Sequence, residues 1–503
     1  MRAVAASLAL GLLAPLAQGR AIVTRADIEA CLAEKGVPYD QKGSADWARD
    51  SAPFNLRVPY TPVAISVPQT VDHISKSVLC GKQLGIKVSP KSGGHSYASL
   101  GFGGEDGHLV VQLDRMYNVS LAEGNIAVVQ PGIRLGHLAT ELYTKYKRAI
   151  AHGTCPGVGI SGHFAHGGFG FSSHKHGLAL DAVVGVTVVL ADGSVVEASG
   201  KENADLFWAI RGAGSNFGIV AEWRLQTFEA PETLTIFGVS LGWTKETSVA
   251  GLEALEKYAR NTMPPELNFR VSDYSRGQPG IEALYYGTET QARAAIAPLL
   301  NSSSVFANAT INGVKTVGWL DVAIHYAFFP DIDWLTPSPQ EMFFAKSLTL
   351  RGLSGAAAKA FVDYWWNNAT QITERGWWFQ LDMHGGQGST IAALDNDATA
   401  YAHRDKLYII QFYDRIENGT YKPEWTSFLN GWVKAVTDTL QEKDWGMYIN
   451  YADTTLDRDT ANKLYYGSNL KKLQAIKAKY DPSELFYYPQ SIEPAKEGKA
   501  KKH

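Results

Sequence analysis

Two stretches dense in glycine constrain this chain more than anything else in it. The first is Lys91-Ser92-Gly93-Gly94-His95-Ser96-Tyr97. The second runs from His152 to Gly170 and holds seven glycines, with Cys155 near its start. Backbone without Cβ atoms approaches a ligand closely and turns its N–H groups inward, which suits a pyrophosphate. Each loop carries one residue able to bond covalently to a flavin, His95 in the first and Cys155 in the second. A cofactor that is bonded as well as cradled points to redox chemistry, so an oxidoreductase is the leading expectation.

The chain has 503 residues, enough for two domains with an ample core. A net charge of −3 makes no electrostatic case for nucleic acid. Met1 to Gly19 reads as a secretory signal peptide: Arg2, an apolar stretch from Ala3 to Leu16, then Ala17-Gln18-Gly19 for cleavage. That stretch is shorter than the ~20 apolar residues a membrane span needs, and no later segment reaches that length. A secreted, extracellular protein without a membrane partner is therefore expected. Sequons at Asn118, Asn301, Asn308, Asn368 and Asn418 agree with that route. Residues 495–503, with Lys496, Lys499, Lys501 and Lys502, read as a disordered tail.

Three cysteines leave one to explain. Cys31 lies on a helix opened by Thr24 with Asp27 three residues on, and Cys80 on a helix started by Thr70. They form a natural disulfide pair, and Cys155 is the leftover thiol. Strands are expected at Ala64–Val67, Ile86–Ser89, Leu109–Leu113, Ile126–Val129, Val184–Leu190 and Ile219–Leu225. Asn203 is expected to cap a helix over Ala204–Ile210. The character changes near Phe228–Pro231, beyond which lie ten of the 13 tryptophans, from Trp243 to Trp445. Aromatic faces stack on sugar C–H surfaces, although core packing accounts for most single tryptophans. A helix over Leu470–Tyr480 and a strand over Leu485–Ile492 are expected to return to the first domain.

Rival motifs are weaker. Gly157-Val158-Gly159-Ile160-Ser161-Gly162 matches G-x-G-x-x-G, but a nicotinamide fingerprint needs a strong preceding strand and an uninterrupted helix, and Gly167-Gly168-Phe169-Gly170 follows at once. His152, His163, His166, His174 and His176 lack metal-protease spacing, so pocket-lining histidines are expected and no metal. A glycosidase needs two flanking carboxylates, and no spacing singles out a pair among Asp382, Asp414 and Asp453.

Longer blocks carry a resemblance: Pro90 to Tyr97, Phe102 to His108, His152 to Pro156, Asn203 to Trp208 and Asn450 to Leu456. From about Ile28 to Pro494 the chain resembles the berberine-bridge-enzyme-like fungal oligosaccharide oxidases of the vanillyl-alcohol-oxidase flavoprotein superfamily, glucooligosaccharide and xylooligosaccharide oxidases above all. The resemblance implies an α+β fold. An FAD-binding domain from residues 22–228 and 449–494 would carry an inserted sheet-and-helix substrate domain, residues 229–448. It implies FAD tethered by His95 to its 8α-methyl and by Cys155 to its C6. Ser92, Gly93, Gly94, Ser96, Gly153, Thr154, Gly157, Gly159 and Gly162 would contact that cofactor. It implies Tyr451 as the base on the anomeric hydroxyl, with Asp382 accepting its phenolic proton. Tyr97, Trp378, Gln380 and Gln411 would line the sugar groove.

The implied reaction is hydride transfer from the anomeric carbon to flavin N5, giving a lactone, with O2 taking the electrons as H2O2; a monomer is expected. The Val322–Gln340 stretch aligns least with that family, and nothing about sugar or chain length is implied there. The rivals are a same-family dehydrogenase using another acceptor, and a flavin-free secreted protein that binds or hydrolyses carbohydrate.

Overall fold

A computed structural model describes residues 24–274 and 277–496. The expected signal peptide and the tail from residue 497 onward lie outside them. Thr24 and Asp27 form a capping box that opens the helix Arg25–Glu34. A second helix, Val71–Leu84, is capped by Thr70. The Cys31–Cys80 disulfide joins the two. Gly81 lets the second helix lie against the sheet, since a Cβ there would sit 2.3 Å from Val88 Cγ2. That sheet is parallel, with Leu109–Gln112 between Ala64–Ser66 and Val88–Lys91. An antiparallel sheet of five strands follows, in the order Val119–Ala122, Ile126–Val129, Ile219–Gln226, Val183–Val189, Val195–Ser199.

The chain then enters an antiparallel sheet of eight strands. Its central strands are Leu267–Asp273, Gly376–Met383, Tyr408–Ile416 and Met342–Leu350. Side chains alternate between faces along each strand. One face sends Phe379 and Phe412 into the helices Gly355–Asn367 and Thr426–Thr437, where Trp365 meets Phe379 at 5.0 Å and Trp432 meets Phe412 at 5.1 Å. Trp243, Trp319, Trp365, Trp377 and Trp432 are buried in the core, and Trp366, Trp425 and Trp445 pack against it. The other face presents Trp378 and Gln380 toward the glycine loops.

The C-terminal helices Arg458–Tyr466 and Leu470–Tyr480 lead back to the first part. There the buried Lys477 ammonium donates to Asn216 O at 2.6 Å and to Asp481 at 2.7 Å. No helix among the described residues is long and apolar enough to cross a membrane.

Several local expectations need correction. No strand spans Leu485–Ile492. The Asp481 carboxylate takes the N–H groups of Leu485 and Phe486, Asn216 Oδ1 takes that of Ile492, and Pro489 has none to give. Asn203 sits at the start of the helix Ala204–Ala213 in a left-handed conformation, and its side chain donates to Glu197 O instead of capping. The strand expected at Ile86 begins at Val88, because the Ile86 N–H is taken by Gly81 O at the helix end.

Candidate active site

The strand Val88–Lys91 delivers the first glycine loop into a cavity of about 560 Å³. Gly94 adopts φ of +72° over the Lys91 side chain, and Lys91 Nζ donates to Asp50 O at 2.8 Å. The two loops touch backbone to backbone: a Cβ on Gly93 would lie 2.2 Å from Gly159 N. The buried Arg134 ties them together, its Nη1 donating to Gly93 O at 2.8 Å and to Gly157 O at 2.5 Å. Sequence reasoning missed Arg134; its only signal was a lone cation just ahead of an apolar helix.

Ser92, Gly93, Gly94, His95, Ser96, Gly153, Thr154, Cys155, Gly159 and Gly162 all line the cavity. Gly157 does not. It faces the 332–338 segment, where a Cβ would meet Ser338 Oγ at 2.1 Å. Gly162 lies in the short helix Ile160–Ala165, and a Cβ there would meet nothing within 4 Å. Its lack of a side chain therefore serves the cavity and not the packing of the protein.

His95 stacks on Phe54 at 3.8 Å. Burial lowers its pKa to about 4, so the imidazole is neutral and nucleophilic at neutral pH. Cys155 is the free cysteine of the described residues, and it opens onto the cavity. The surrounding walls push its thiol pKa up, with the Glu341 charge adding to the effect. Of the other histidines, His163 and His166 line the cavity. His163 Nε2 accepts the Gly153 N–H at 2.9 Å, which fixes the turn before Cys155. His174 and His176 pack elsewhere, the latter flat on Phe228 at 3.7 Å. Among the described residues no cluster of His, Cys, Asp or Glu is arranged to hold a metal ion.

The sheet supplies the opposite wall. Trp378 stacks on Tyr413 at 4.6 Å. Gln380 and Gln411 are cross-strand partners. Gln411 Nε2 donates to the Tyr97 hydroxyl at 2.8 Å, and Gln380 Nε2 to that of Tyr274. Tyr97 stacks on Tyr451 at 5.8 Å. Tyr451 ends the turn Ile449–Tyr451. That turn is held to the second glycine loop by Tyr448, whose hydroxyl accepts the Gly168 N–H at 2.8 Å and the Asn450 amide at 2.9 Å.

Asp382 lies behind this wall and does not line the cavity. Among the described residues no hydrogen bond joins it to Tyr451; Arg270 Nε donates to Asp382 Oδ1 at 3.0 Å, and Oδ2 has no partner. This departs from the expected direct bond between Tyr451 and Asp382. Arg270 is the partner that sequence reasoning missed, a cation in the middle of an apolar strand. Burial raises the Asp382 pKa despite Arg270. Burial also raises that of Tyr451, with the Asp382 charge adding to it and Arg270 opposing. Asp414 and Asp453 are bound to Arg375 and Lys346 away from the cavity. Among the described residues Glu341 is the one carboxylate lining it. That leaves no flanking pair for glycoside hydrolysis.

A glycine cradle opposite a polar and aromatic sheet suits a flavin-dependent oxidoreductase, and likeness to solved flavoprotein oxidases makes the fold that of the vanillyl-alcohol-oxidase type. The chain matches the family described as FAD binding domain over residues 62–199 and that described as berberine and berberine like over residues 447–493. It is 58% identical to a carbohydrate oxidase of Microdochium nivale over 97% of this chain and 99% of that one. The structure of that enzyme with a substrate analogue superposes with a TM-score of 0.92, covering 93% of this chain and all of the other. A xylooligosaccharide oxidase from Myceliophthora thermophila C1, solved with xylobiose, is 48% identical with a TM-score of 0.90 and covers 93% of this chain and 99% of its own. A glucooligosaccharide oxidase from Acremonium strictum, described as carrying 6-S-cysteinyl, 8α-N1-histidyl FAD, is 46% identical with a TM-score of 0.90, over 93% and 99%. The chain belongs to the berberine-bridge-enzyme-like carbohydrate and oligosaccharide oxidases. It is an FAD-dependent sugar oxidase.

Proposed function

We propose that this secreted enzyme oxidises the anomeric hydroxyl of the reducing-end sugar of oligosaccharides to the lactone and releases hydrogen peroxide. One observation carries the reading: a single cavity brings His95 and Cys155, from separate glycine loops, together with Tyr451, Trp378, Gln380 and Gln411. The protein fits the cofactor. Two loops already in backbone contact leave no room for side chains, Gly162 faces open space, and His95 is a neutral imidazole. The domain of residues 22–228 and 449–494 would hold FAD, with His95 and Cys155 as its tethers. When bound, FAD accepts the hydride and passes the electron pair to O2.

The remaining work falls to the chain. Trp378 offers a flat apolar face to a sugar ring, and the Gln380 and Gln411 amides orient its hydroxyls. Tyr451 Oη takes the proton of the anomeric hydroxyl, and Asp382 Oδ2, buried and without a partner, is the acceptor for its phenolic proton once the two side chains come within hydrogen-bond reach. Burial and the Asp382 charge disfavour a resting phenolate, so the two transfers occur together. Arg270 acts as a positioning residue, holding Asp382 ionised and aligned.

The test has two parts. Peroxide release is screened over cello-, malto-, xylo- and chito-oligosaccharides, and tryptic peptides spanning His95 and Cys155 are weighed. Lactone or aldonic acid with stoichiometric peroxide, and flavin mass on both peptides, are expected. Active enzyme with unmodified peptides would refute the tethers. Slow reoxidation under air would favour a dehydrogenase.

A further inference from the structure

Beside the main cavity lies a second, smaller one that the chemistry above does not use. Its volume is about 40 Å³. That space takes a few water-sized molecules and no sugar ring. Its lining includes Leu135, Pro156, Phe171, Trp319, Val322 and Ile332, and among the described residues no Asp, Glu, Lys or Arg faces it. Val322 and Ala323 come from the helix Trp319–Ala327. Val322 is buried, whereas Ala323 is half-buried and stands at the end nearer solvent.

The inner end meets the site. Gly153, Thr154 and Pro156, which surround Cys155 in the chain, line both cavities. Tyr326, stacked on Phe171 at 3.7 Å, does the same. Around this space the elements close tightly. A Cβ on Gly136 would lie 1.8 Å from Ile332 O and 2.6 Å from Pro156 Cβ, so the cavity is a gap in an otherwise close-packed junction. His152 also lines it, and burial lowers the pKa of that imidazole, which leaves the lining uncharged at neutral pH.

A small, uncharged and largely apolar space offers little to an ion or a sugar, yet it favours a small apolar molecule over bulk water. O2 is such a molecule. A separate way in lets it reach the cofactor while sugar or lactone stands in the groove.

We propose that this second cavity admits molecular oxygen to the FAD site from behind the turn that carries Cys155. This rests on the oxidase reading and deepens it by giving the second substrate its own route. The electron pair and two protons lost by the sugar leave on that O2 as H2O2, so no other co-reactant is needed.

Crystals of the holoenzyme pressurised with xenon supply a readout that does not depend on turnover. A xenon peak is expected between Val322, Phe171 and Trp319. Val322→Phe and, nearer solvent, Ala323→Phe should abolish it. Flavin content and melting temperature check the fold of each variant. Enzyme reduced by sugar without air is then mixed with O2 in a stopped-flow instrument. The filled variants should be reoxidised about fivefold more slowly, with anaerobic reduction by sugar unchanged. Xenon absent from the parent's cavity, or unchanged reoxidation in a filled variant, would overturn the route and leave the oxidase reading intact. Equal slowing of both half-reactions would overturn it too. A parent that air reoxidises slowly would sink the oxidase reading and the route together.

Discussion

Replacing Arg270 by glutamine isolates the electrostatic device on which the proposed proton removal depends. The guanidinium bonds Asp382 at 3.0 Å, and the two residues are 7% and 3% exposed. Two unit charges about 4 Å apart attract by roughly 4 kcal/mol at an effective dielectric near 20, which corresponds to about three pH units. Burial already raises the Asp382 pKa, and Arg270 opposes that rise. Without Arg270 the carboxyl keeps its proton to higher pH. In the proposed mechanism Asp382 must be ionised to receive the tyrosine's proton, so the acid limb of turnover should move up by about two to three pH units.

Stability follows the same sign. A buried carboxyl with a raised pKa holds its proton in the folded state where the unfolded chain releases it, so its contribution to stability falls as pH rises through the folded pKa. The glutamine variant should therefore lose about 3–5 kcal/mol above that pKa, where an unpaired charge stays buried, and less below it. Anaerobic stopped-flow reduction by sugar from about pH 4 to about pH 9, with thermal unfolding at both ends of the range, reads both effects. Arg270→Lys, which keeps the charge, should restore most of the acid limb. An unmoved acid limb in Arg270→Gln, or an equal stability loss at both ends, would refute the argument.

Further outcomes follow from the same geometry. Tyr451→Phe should cut turnover by roughly 10²–10⁴ while the protein stays yellow; near-normal turnover would remove Tyr451 from the mechanism. Gly93→Ala drives a Cβ to 2.2 Å from Gly159 N, and because both partners are backbone the loops must part. Covalent flavin content, read as the visible-to-ultraviolet absorbance ratio, should fall sharply with a stability loss of about 1–3 kcal/mol; an unchanged ratio and melting temperature would contradict the loop contact. Paired Cys31→Ser and Cys80→Ser substitutions open a crosslink across a sequence separation of 49 residues, so calorimetry should record a loss of about 4 kcal/mol.

The parts of this fold legible in the sequence were those governed by nearby residues. Thr24 with Asp27 and Thr70 are local signals, and the helices over Arg25–Glu34 and Val71–Leu84 follow them. Leu485–Ile492 had the apolar and aromatic content of a strand, yet its N–H groups are claimed by Asp481 and by the distant Asn216. No local pattern records that competition. Gly157 lies outside the cavity lining for a related reason. Its glycine meets a packing demand of the 332–338 segment, which sequence proximity does not reveal.

For the site, residue chemistry alone nominated His95, Cys155 and the glycines around them, because a nucleophilic side chain amid close-approach backbone is a local statement. The roles of Tyr451, Asp382, Trp378, Gln380 and Gln411 came from resemblance. Their meeting is a property of strand register, which sets Gln380 beside Gln411 and Arg270 beside Asp382. Burial was likewise invisible beforehand. Desolvation depends on what the whole chain packs around a group, and it makes His95 neutral, raises Asp382 and hands that carboxyl to Arg270. Short-range sterics and side-chain chemistry can thus be read along the chain, whereas partners and protonation are assigned only once distant strands close over them.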